Sequence, residues 1–226
     1  KLDNKLLNNT NPSEILNFHF LEKDIENYLC LLTEDGRFKK ISINEEMINT
    51  NRIFSIIKQK KENKIINSFI TNQNQLLIVI TSIGRIFKFY LSNSYIAPAS
   101  KQSQGSFLIK LLPQEKIIFG CNCKKDDEIV IVSKKGKFFK IKSNEIYNSH
   151  IYKMGYINEK IKLKNDEFLK LFLNSQFCIL ETNKEKIAKL STKTIDIKSS
   201  KYSYDIDFIK FQEDEFIKNL FCFDYL

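Results

Sequence analysis

Residues 76–89 read LLIVITSIGRIFKF: an apolar run, a short polar turn with a glycine, a basic residue and a second strand-like stretch. Three more copies of this phrase follow the same plan. They read LCLLTEDGRFKKI at 29–41, IVIVSKKGKFFKI at 129–141 and FCILETNKEKIAKL at 177–190. The turn position is held by Gly36, Gly84, Gly136 and Glu185, which lie 48, 52 and 49 residues apart. A fixed period of this size predicts a propeller-like or solenoid array.

A second phrase recurs in the same register. It precedes an apolar strand at 64–66, 116–118, 167–169 and 215–217. The last two copies are nearly identical, because NDEFLK at 165–170 corresponds to EDEFIK at 213–218. Two independent phrases with one period indicate a true structural repeat.

Each repeat unit predicts several strands. The first is apolar at successive positions, as in residues 77–80, which is typical of a strand covered on both faces. A glycine then permits the positive φ of a hairpin turn. The returning strand alternates Phe87 and Phe89 with Lys88, which predicts one buried face and one face in solvent. The rest of each unit carries shorter strands, so a unit has the strand number of a propeller blade and no sustained helical period.

We therefore predict an all-β, propeller-like array of four to five four-stranded blades. It is either open or closed by strand exchange through residues 216–223. Residues 1–24 are predicted to form a leading linker or first strand, with any strand around Ile15–Phe20, and residues 25–226 a single domain. The expected blades lie at roughly 25–70, 71–120, 121–170 and 171–226. A chain that begins at Lys1 rather than Met is expected to be a fragment of a longer protein.

Composition restricts the classes of function. The formal net charge of +9 and a pI of about 9.1 favour an anionic partner. Five cysteines in irregular spacing argue against a disulfide scaffold and indicate a reducing compartment. There is no apolar stretch of eighteen residues that would predict a membrane span. Cys121 and Cys123 lack a second pair at zinc-finger spacing, and His19 and His150 are isolated, so we predict no catalytic residue, no metal site and no cofactor.

Basic residues follow the glycine turn in every unit, either directly after it or along the returning strand. If equivalent positions face outward, these cations form a positive ribbon around one rim of a disc, suited to phosphate contact and DNA bending. The alternative is that outward lysines only protect sheet edges and keep the surface soluble. The predicted set, with neighbouring cations, comprises Arg37, Lys39, Lys40, Arg52, Arg85, Lys88, Lys101, Lys134, Lys135, Lys137, Lys140, Lys142, Lys186 and Lys189.

The combination of apolar strand, Thr/Ser-x-x-Gly-Arg/Lys-x-x-Lys turn and fifty-residue period resembles a known family. It is similar to the C-terminal β-pinwheel of the A subunit of bacterial type IIA topoisomerases, which is DNA gyrase A or topoisomerase IV ParC. The likeness is carried by residues 81–87, by Ala97-Pro98 and by residues 103–113, which end in Leu-Leu-Pro. It covers about residues 25–226 and is weakest in the last unit, where the glycine is lost.

This resemblance implies a disc of four-stranded blades that exchange strands and bend duplex DNA around a basic edge. The domain would be a non-catalytic part of an ATP-dependent topoisomerase. Its partners would be the duplex DNA backbone without sequence preference, the ATPase B subunit of the holoenzyme and the rest of the A subunit, with no membrane contact. Its location would be the bacterial cytoplasm at the nucleoid, or an organelle of bacterial ancestry. The alternative function is a β-propeller module for protein–protein interaction.

One departure from the gyrase pattern concerns the glycine-rich basic box, Q-R-R-G-G-K-G. In gyrase pinwheels it follows the first turn glycine by about thirteen residues and is tied to chiral DNA wrapping. Residues 49–55 of this chain read NTNRIFS, in which only Arg52 is basic and no glycine remains. The resemblance therefore implies topoisomerase IV-like or degenerate wrapping rather than gyrase supercoiling.

Overall fold

The computed structural model describes residues 17, 19, 21, 26–49, 54–58, 63–157, 161, 163–174, 177–194, 204–205 and 211–223. Regular structure in this part is β, apart from helix α1 (Glu45–Asn49), two 3-10 turns at Ser143–Glu145 and Thr192–Thr194, and Ile161, which is also in a 3-10 conformation. None of its helices is long and apolar enough to cross a membrane. The strands are β1 (Tyr28–Thr33), β2 (Arg37–Ser42), β3 (Ile65–Thr71), β4 (Leu76–Thr81), β5 (Arg85–Tyr90), β6 (Ser106–Phe107), β7 (Ile117–Cys123), β8 (Glu128–Ser133), β9 (Lys137–Lys142), β10 (Tyr156–Ile157), β11 (Phe168–Leu173), β12 (Phe177–Thr182), β13 (Ile187–Ser191), β14 (Tyr204–Asp205) and β15 (Ile217–Phe223).

These strands form four antiparallel sheets, which we call blades 1 to 4. Their strand orders are β3-β1-β2-β6, β10-β5-β4-β7, β11-β8-β9-β14 and β13-β12-β15. The glycine-turn phrase supplies the hairpin at the centre of each blade, and the second repeated phrase leads into β3, β7, β11 and β15. The predicted all-β architecture of four-stranded blades is confirmed, with three described strands in blade 4.

Strand exchange links the blades. Strand β6 follows the hairpin of blade 2 but pairs with β2 of blade 1, and β10 and β14 pair in the same way with β5 and β9. The exchanged strand lies at one edge of its sheet, while β3, β7 and β11 lie at the other edge and contact their equivalents in the adjacent blades. We call the exchanged-strand edge the perimeter. Residues 217–223 do not exchange: they form β15, which pairs with β12 of the same blade.

The core lies between successive blades. In β4, Leu77 and Val79 pack toward blade 1, whereas Ile78 and Ile80 pack toward blade 3. All four are 0% exposed, which confirms that the continuous apolar run is covered on both faces. A third cluster joins blades 3 and 4. Because burying an aliphatic side chain contributes about 1.5–3 kcal/mol, these interfaces are the main source of stability.

The hairpin turns require a left-handed backbone. Gly36, Gly84 and Gly136 have φ of +85°, +81° and +80°, respectively. A Cβ at Gly84 would also lie 2.9 Å from the Phe168 ring of the next blade, so both backbone and packing favour glycine there. Glu185, which replaces the glycine in the fourth unit, retains φ of +61° and is exposed. Loss of the glycine has therefore not changed the turn.

Little of the predicted leading segment falls within the described residues. The predicted strand around Ile15–Phe20 lies outside them, apart from residues 17 and 19. Asn17 Nδ2 donates to the Ser68 carbonyl at 3.0 Å, and His19 Nε2 lies 2.8 Å from Ser68 Oγ. These two residues therefore contact β3, the strand of blade 1 farthest from its exchanged strand.

Candidate nucleic-acid interface

The lysines four positions after each turn glycine are buried in the first three blades. Lys40, Lys88 and Lys140 are 1%, 8% and 7% exposed. Each ammonium donates to the first carbonyl after the returning strand of the next blade. The acceptors are Leu91 at 2.6 Å, Ser143 at 3.0 Å and Thr192 at 3.5 Å. The prediction that these lysines face outward is wrong, because a neighbouring blade covers that face of the strand.

Lys39 is also buried, at 1% exposure, so its predicted outward position is wrong as well. Its Nζ donates to the carbonyls of Ile56 at 2.6 Å, Lys101 at 2.7 Å and Ser103 at 2.9 Å. Burial lowers the pKa of the Lys39 ammonium. Three carbonyl acceptors compensate for lost hydration, so this lysine joins the loop before β6 to blade 1.

Arg85 is the most enclosed of the predicted turn cations, at 4% exposure. Its Nε donates to Glu115 Oε1 at 2.8 Å, and its other nitrogens donate to Glu115 Oε2 and to the carbonyls of Lys110 and Met154. Burial alone would raise the pKa of Glu115. Hydrogen bonds from Arg85 and the Leu112 N–H outweigh burial and lower the pKa overall. Arg85 is therefore an anchor for exchanged segments and is removed from solvent.

Arg37 has the equivalent role in blade 1. Its guanidinium carbon lies 3.7 Å from the centroid of the Phe107 ring in exchanged strand β6. It also donates to Asp35 Oδ2 at 3.2 Å and to the Gly105 carbonyl at 3.2 Å. The side chain is 18% exposed, so only part of its charge is accessible.

Two more predicted cations at the hairpin turns are paired with acids. Lys134 Nζ lies 2.6 Å from Glu167 Oε2, and Lys186 Nζ lies 2.8 Å from Glu215 Oε2. Both lysine side chains remain 42% exposed. The hairpin end of the blades therefore carries mixed charge rather than the continuous positive ribbon expected from the sequence.

The Lys186–Glu215 pair predicts a specific acid dependence of stability. Hydrogen bonds from the Gln212 N–H, Lys186 and Thr182 hold the pKa of Glu215 at about 2, below its ordinary value of 4.5. Because the folded pKa lies below the unfolded value, the carboxylate stabilises the fold above about pH 4.5. This contribution disappears as the pH falls toward 2. Urea unfolding of Glu215→Gln is therefore expected to show a weaker pH dependence between 4.5 and 2 than the unmodified domain.

The matched control for this experiment is Glu213→Gln, which removes a neighbouring exposed carboxylate. Glu213→Gln is expected to keep the pH dependence of the unmodified domain. Equal flattening in both variants would contradict the assignment of the effect to Glu215.

The other predicted cations reach the surface, except Arg52, which lies outside the described residues. They are Lys101, Lys135, Lys137, Lys142 and Lys189. Lys135 and Lys142 are exposed, Lys137 is half-buried, and none of the three forms an ion pair with another described residue. Lys189 Nζ lies 4.3 Å from the Phe177 ring centroid. Lys135, Lys137, Lys142 and Lys189 therefore keep at least part of their charge available to solvent.

Two exposed lysines of the perimeter were not among the predicted site residues. Lys110 follows β6, and Lys153 precedes β10. The Lys110 N–H donates to the Lys153 carbonyl at 3.4 Å, and Ile109 pairs with Lys153 in an isolated bridge. Both lysines occupy strand-like stretches that are visible in the sequence. Their proximity follows from strand exchange, which sequence spacing does not reveal.

Among the residues that the structure describes, no three His, Cys, Asp or Glu side chains come close enough to hold a metal ion. Burial raises the pKa of Cys178 to about 11, which keeps this thiol protonated at neutral pH. The surface cations of the domain can bind phosphate, because lysine ammonium groups bind phosphate as point charges.

No family model and no curated protein matches this sequence. Solved structures do match it. The C-terminal domain of DNA topoisomerase IV gives a TM-score of 0.73 at 17% identity, over 89% of this chain and 63% of that chain. The E. coli ParC C-terminal domain gives a TM-score of 0.62 at 14% identity, over 88% of this chain and 80% of that chain. The DNA gyrase A C-terminal domain gives a TM-score of 0.53 at 14% identity, over 91% of this chain and 88% of that chain.

The fold is a β-pinwheel. The resemblance predicted from the glycine-turn repeat is thus confirmed at the level of the fold, and it extends over nearly all of the chain. This β-pinwheel spans less than two thirds of the length of the topoisomerase IV domain that it matches. Its blades, strand exchange and perimeter are the parts of the molecule on which a functional proposal can be built.

Proposed function

We propose that this β-pinwheel is a non-catalytic DNA-binding domain of a type IIA topoisomerase A subunit. It binds the backbone of duplex DNA along the perimeter and bends it. The observation that carries the proposal is the set of exposed or half-buried lysines on or beside the exchanged strands and their partners. These are Lys110, Lys137, Lys142 and Lys153. The proposed protein partners are the ATPase B subunit of the holoenzyme and the remainder of the A subunit.

The charge distribution supports contact with phosphates rather than with base edges. The chain carries a formal net charge of +9. Arg85 and Lys39 donate hydrogen bonds inside the domain and are not available to a partner. The surface cations are mainly lysines, which lack the planar fork that reads guanine or adenine. Contacts of this kind position a protein on DNA without sequence information. Binding is therefore proposed to be sequence-nonspecific.

The sequence between β2 and β3 of blade 1 supports one mode of wrapping. Residues 49–55 lack the glycine-rich basic box of gyrase pinwheels. We therefore propose topoisomerase IV-like or degenerate wrapping. The proposed location is the bacterial cytoplasm at the nucleoid, or an organelle of bacterial ancestry.

A topology assay tests this proposal. The domain is incubated with relaxed circular DNA and a relaxing topoisomerase, and the trapped supercoils are separated by gel electrophoresis. We expect the domain to bind duplex DNA at low salt and to trap few positive supercoils. Strong positive wrapping would contradict the role assigned to the missing box. Absence of duplex binding at low salt would contradict the DNA-binding function.

A further inference from the structure

An exposed apolar group lies on the perimeter between the exchange segments that contain β6 and β10. We call it the perimeter aromatic cluster. Its members are Phe107, Ile151, Tyr152 and Met154, which are 40%, 41%, 54% and 39% exposed. The rings of Phe107 and Tyr152 lie 6.2 Å apart between centroids and are tilted by 48°. Two different repeats therefore combine to present one apolar surface to solvent.

Hydrogen bonds fix the two segments against each other. The Tyr152 N–H donates to the Leu108 carbonyl at 2.8 Å, and Lys153 pairs with Ile109. The cluster is therefore mounted on strand-exchange contacts at the boundary of blades 1 and 2. Because these segments are held rigidly, the cluster loses little conformational freedom when it binds a partner.

Tyr152 has an unusual backbone. Its φ is +57°, in the left-handed region that a bulky aromatic residue rarely adopts. The turn leaves the Tyr152 ring more than half exposed at the surface. Strained residues that persist at a surface commonly serve a binding site. The backbone strain and the exposure of Tyr152 thus both indicate a binding surface.

The surroundings of the cluster carry positive charge. Residues 106–113 and 146–157 contain no Asp or Glu. Lys110 and Lys153 are exposed beside the cluster, and the guanidinium of Arg37 stacks on Phe107. This combination of aromatic surface and cations is complementary to a nucleic acid, which offers base faces and phosphates together.

The two acids that pair with Arg37 and Arg85 are already engaged. Asp35 accepts a hydrogen bond from Arg37, and Glu115 is buried against Arg85. Each of these carboxylates is therefore paired with a cation.

We propose that the perimeter aromatic cluster is a wedge that contacts a partly unstacked base step of the bent duplex. Tyr152 supplies the leading ring, and Lys110 and Lys153 bind phosphates beside it. Apolar side chains that enter between base steps kink DNA, and the bent duplex then contacts more protein surface. This inference rests on the proposed DNA-binding function and adds the residue that drives bending.

Tyr152→Gly is the decisive variant. Glycine adopts a φ of +57° without strain, so the ring is removed with no loss of fold stability expected. A short duplex labelled at both ends reports bending by energy transfer, and a 2-aminopurine scanned along it reports unstacking. Tyr152→Gly is expected to bind about five- to tenfold more weakly, to reduce the energy transfer and to abolish the 2-aminopurine signal. The slope of log K against log salt is expected to stay unchanged, because the lysines remain.

Two control variants separate the ring from general effects. Tyr152→Phe keeps the ring and is expected to bend DNA like the unmodified domain. Phe221→Ala removes a ring of similar exposure, 52%, from β15 at the opposite sheet edge, and is expected to change neither readout.

The possible failures are distinguishable. If Tyr152→Gly bends DNA normally while Lys110→Gln and Lys153→Gln weaken binding, the wedge is wrong and the DNA-binding function stands. If neither the unmodified domain nor any variant binds duplex DNA, both are wrong. If Tyr152→Gly instead abolishes self-association in sedimentation and leaves DNA bending intact, the cluster is a protein contact and the wedge is overturned.

Discussion

Replacing Glu115 by alanine is expected to lower the free energy of unfolding by about 3–5 kcal/mol, because it leaves the Arg85 guanidinium buried without its counter-ion. The Arg85 and Glu115 side chains are only 5% and 1% exposed. Arg85 also holds the carbonyls of Lys110 and Met154, which belong to exchanged segments. The loss is therefore transmitted to the contacts between blades.

Urea unfolding monitored by circular dichroism measures this change. The matched control is Glu34→Ala, which breaks the Lys116–Glu34 pair. That pair has an N–O distance of 3.2 Å, and the Lys116 side chain is 58% exposed. An exposed pair of this kind contributes about 1 kcal/mol or less. If Glu115→Ala costs no more than Glu34→Ala, the buried pair is not a principal anchor of the pinwheel.

The fold could be predicted because the repeat reports the strand pattern directly. The continuous apolar run at 77–80 can only be satisfied by cover on two faces, and blades 1 and 3 provide it. The turn glycines mark a backbone conformation that ordinary residues avoid. Such signals depend on local backbone geometry and burial, which a single sequence records well.

The positions of the strand lysines could not be predicted in the same way. An alternation such as Phe87-Lys88-Phe89 is compatible with a solvated face. It is equally compatible with a lysine whose stem lies along a neighbouring blade and whose ammonium meets a carbonyl. Lys88 adopts the second arrangement, because its ammonium donates to the carbonyl of Ser143, 55 residues away in the sequence. Only the stacking of blades decides between these cases.

The perimeter could not be predicted for a related reason. Lys110 and Lys153 are 43 residues apart in sequence, but strand exchange places their backbones in hydrogen-bond contact. A single sequence shows each cation only in the context of its own strand. Arg37 and Arg85 donate to carbonyls of the exchanged segments, so the two turn arginines offer little accessible charge, whereas Lys110 and Lys153 on those segments are exposed.

The affinity of the unmodified domain for duplex DNA is expected to fall about a thousandfold between 50 and 200 mM salt. This follows if the perimeter neutralises about six phosphates, because each released counter-ion contributes about 0.9 to the slope of log K against log salt. The expected slope is thus near −5. Fluorescence anisotropy with a duplex of arbitrary sequence, titrated at several salt concentrations, measures it.

Buried and exposed lysines provide matched variants for this titration. Lys110→Gln and Lys153→Gln are each expected to lower the magnitude of the slope by about one, uniformly across DNA sequences. Lys40→Gln and Lys88→Gln remove the same charge from buried positions. They are expected to leave the slope unchanged and to lower the free energy of unfolding, because carbonyls of the next blade lose their donor.

The comparison decides which lysines meet phosphate, because all four substitutions change the net charge equally. A general loss of positive potential would lower the slope by the same amount in every variant. Direct phosphate contact lowers it only where the ammonium reaches the surface, as it does at Lys110 and Lys153. A slope reduced as much by Lys88→Gln as by Lys110→Gln would therefore contradict the perimeter as the DNA-binding surface, even if the domain still bound DNA tightly.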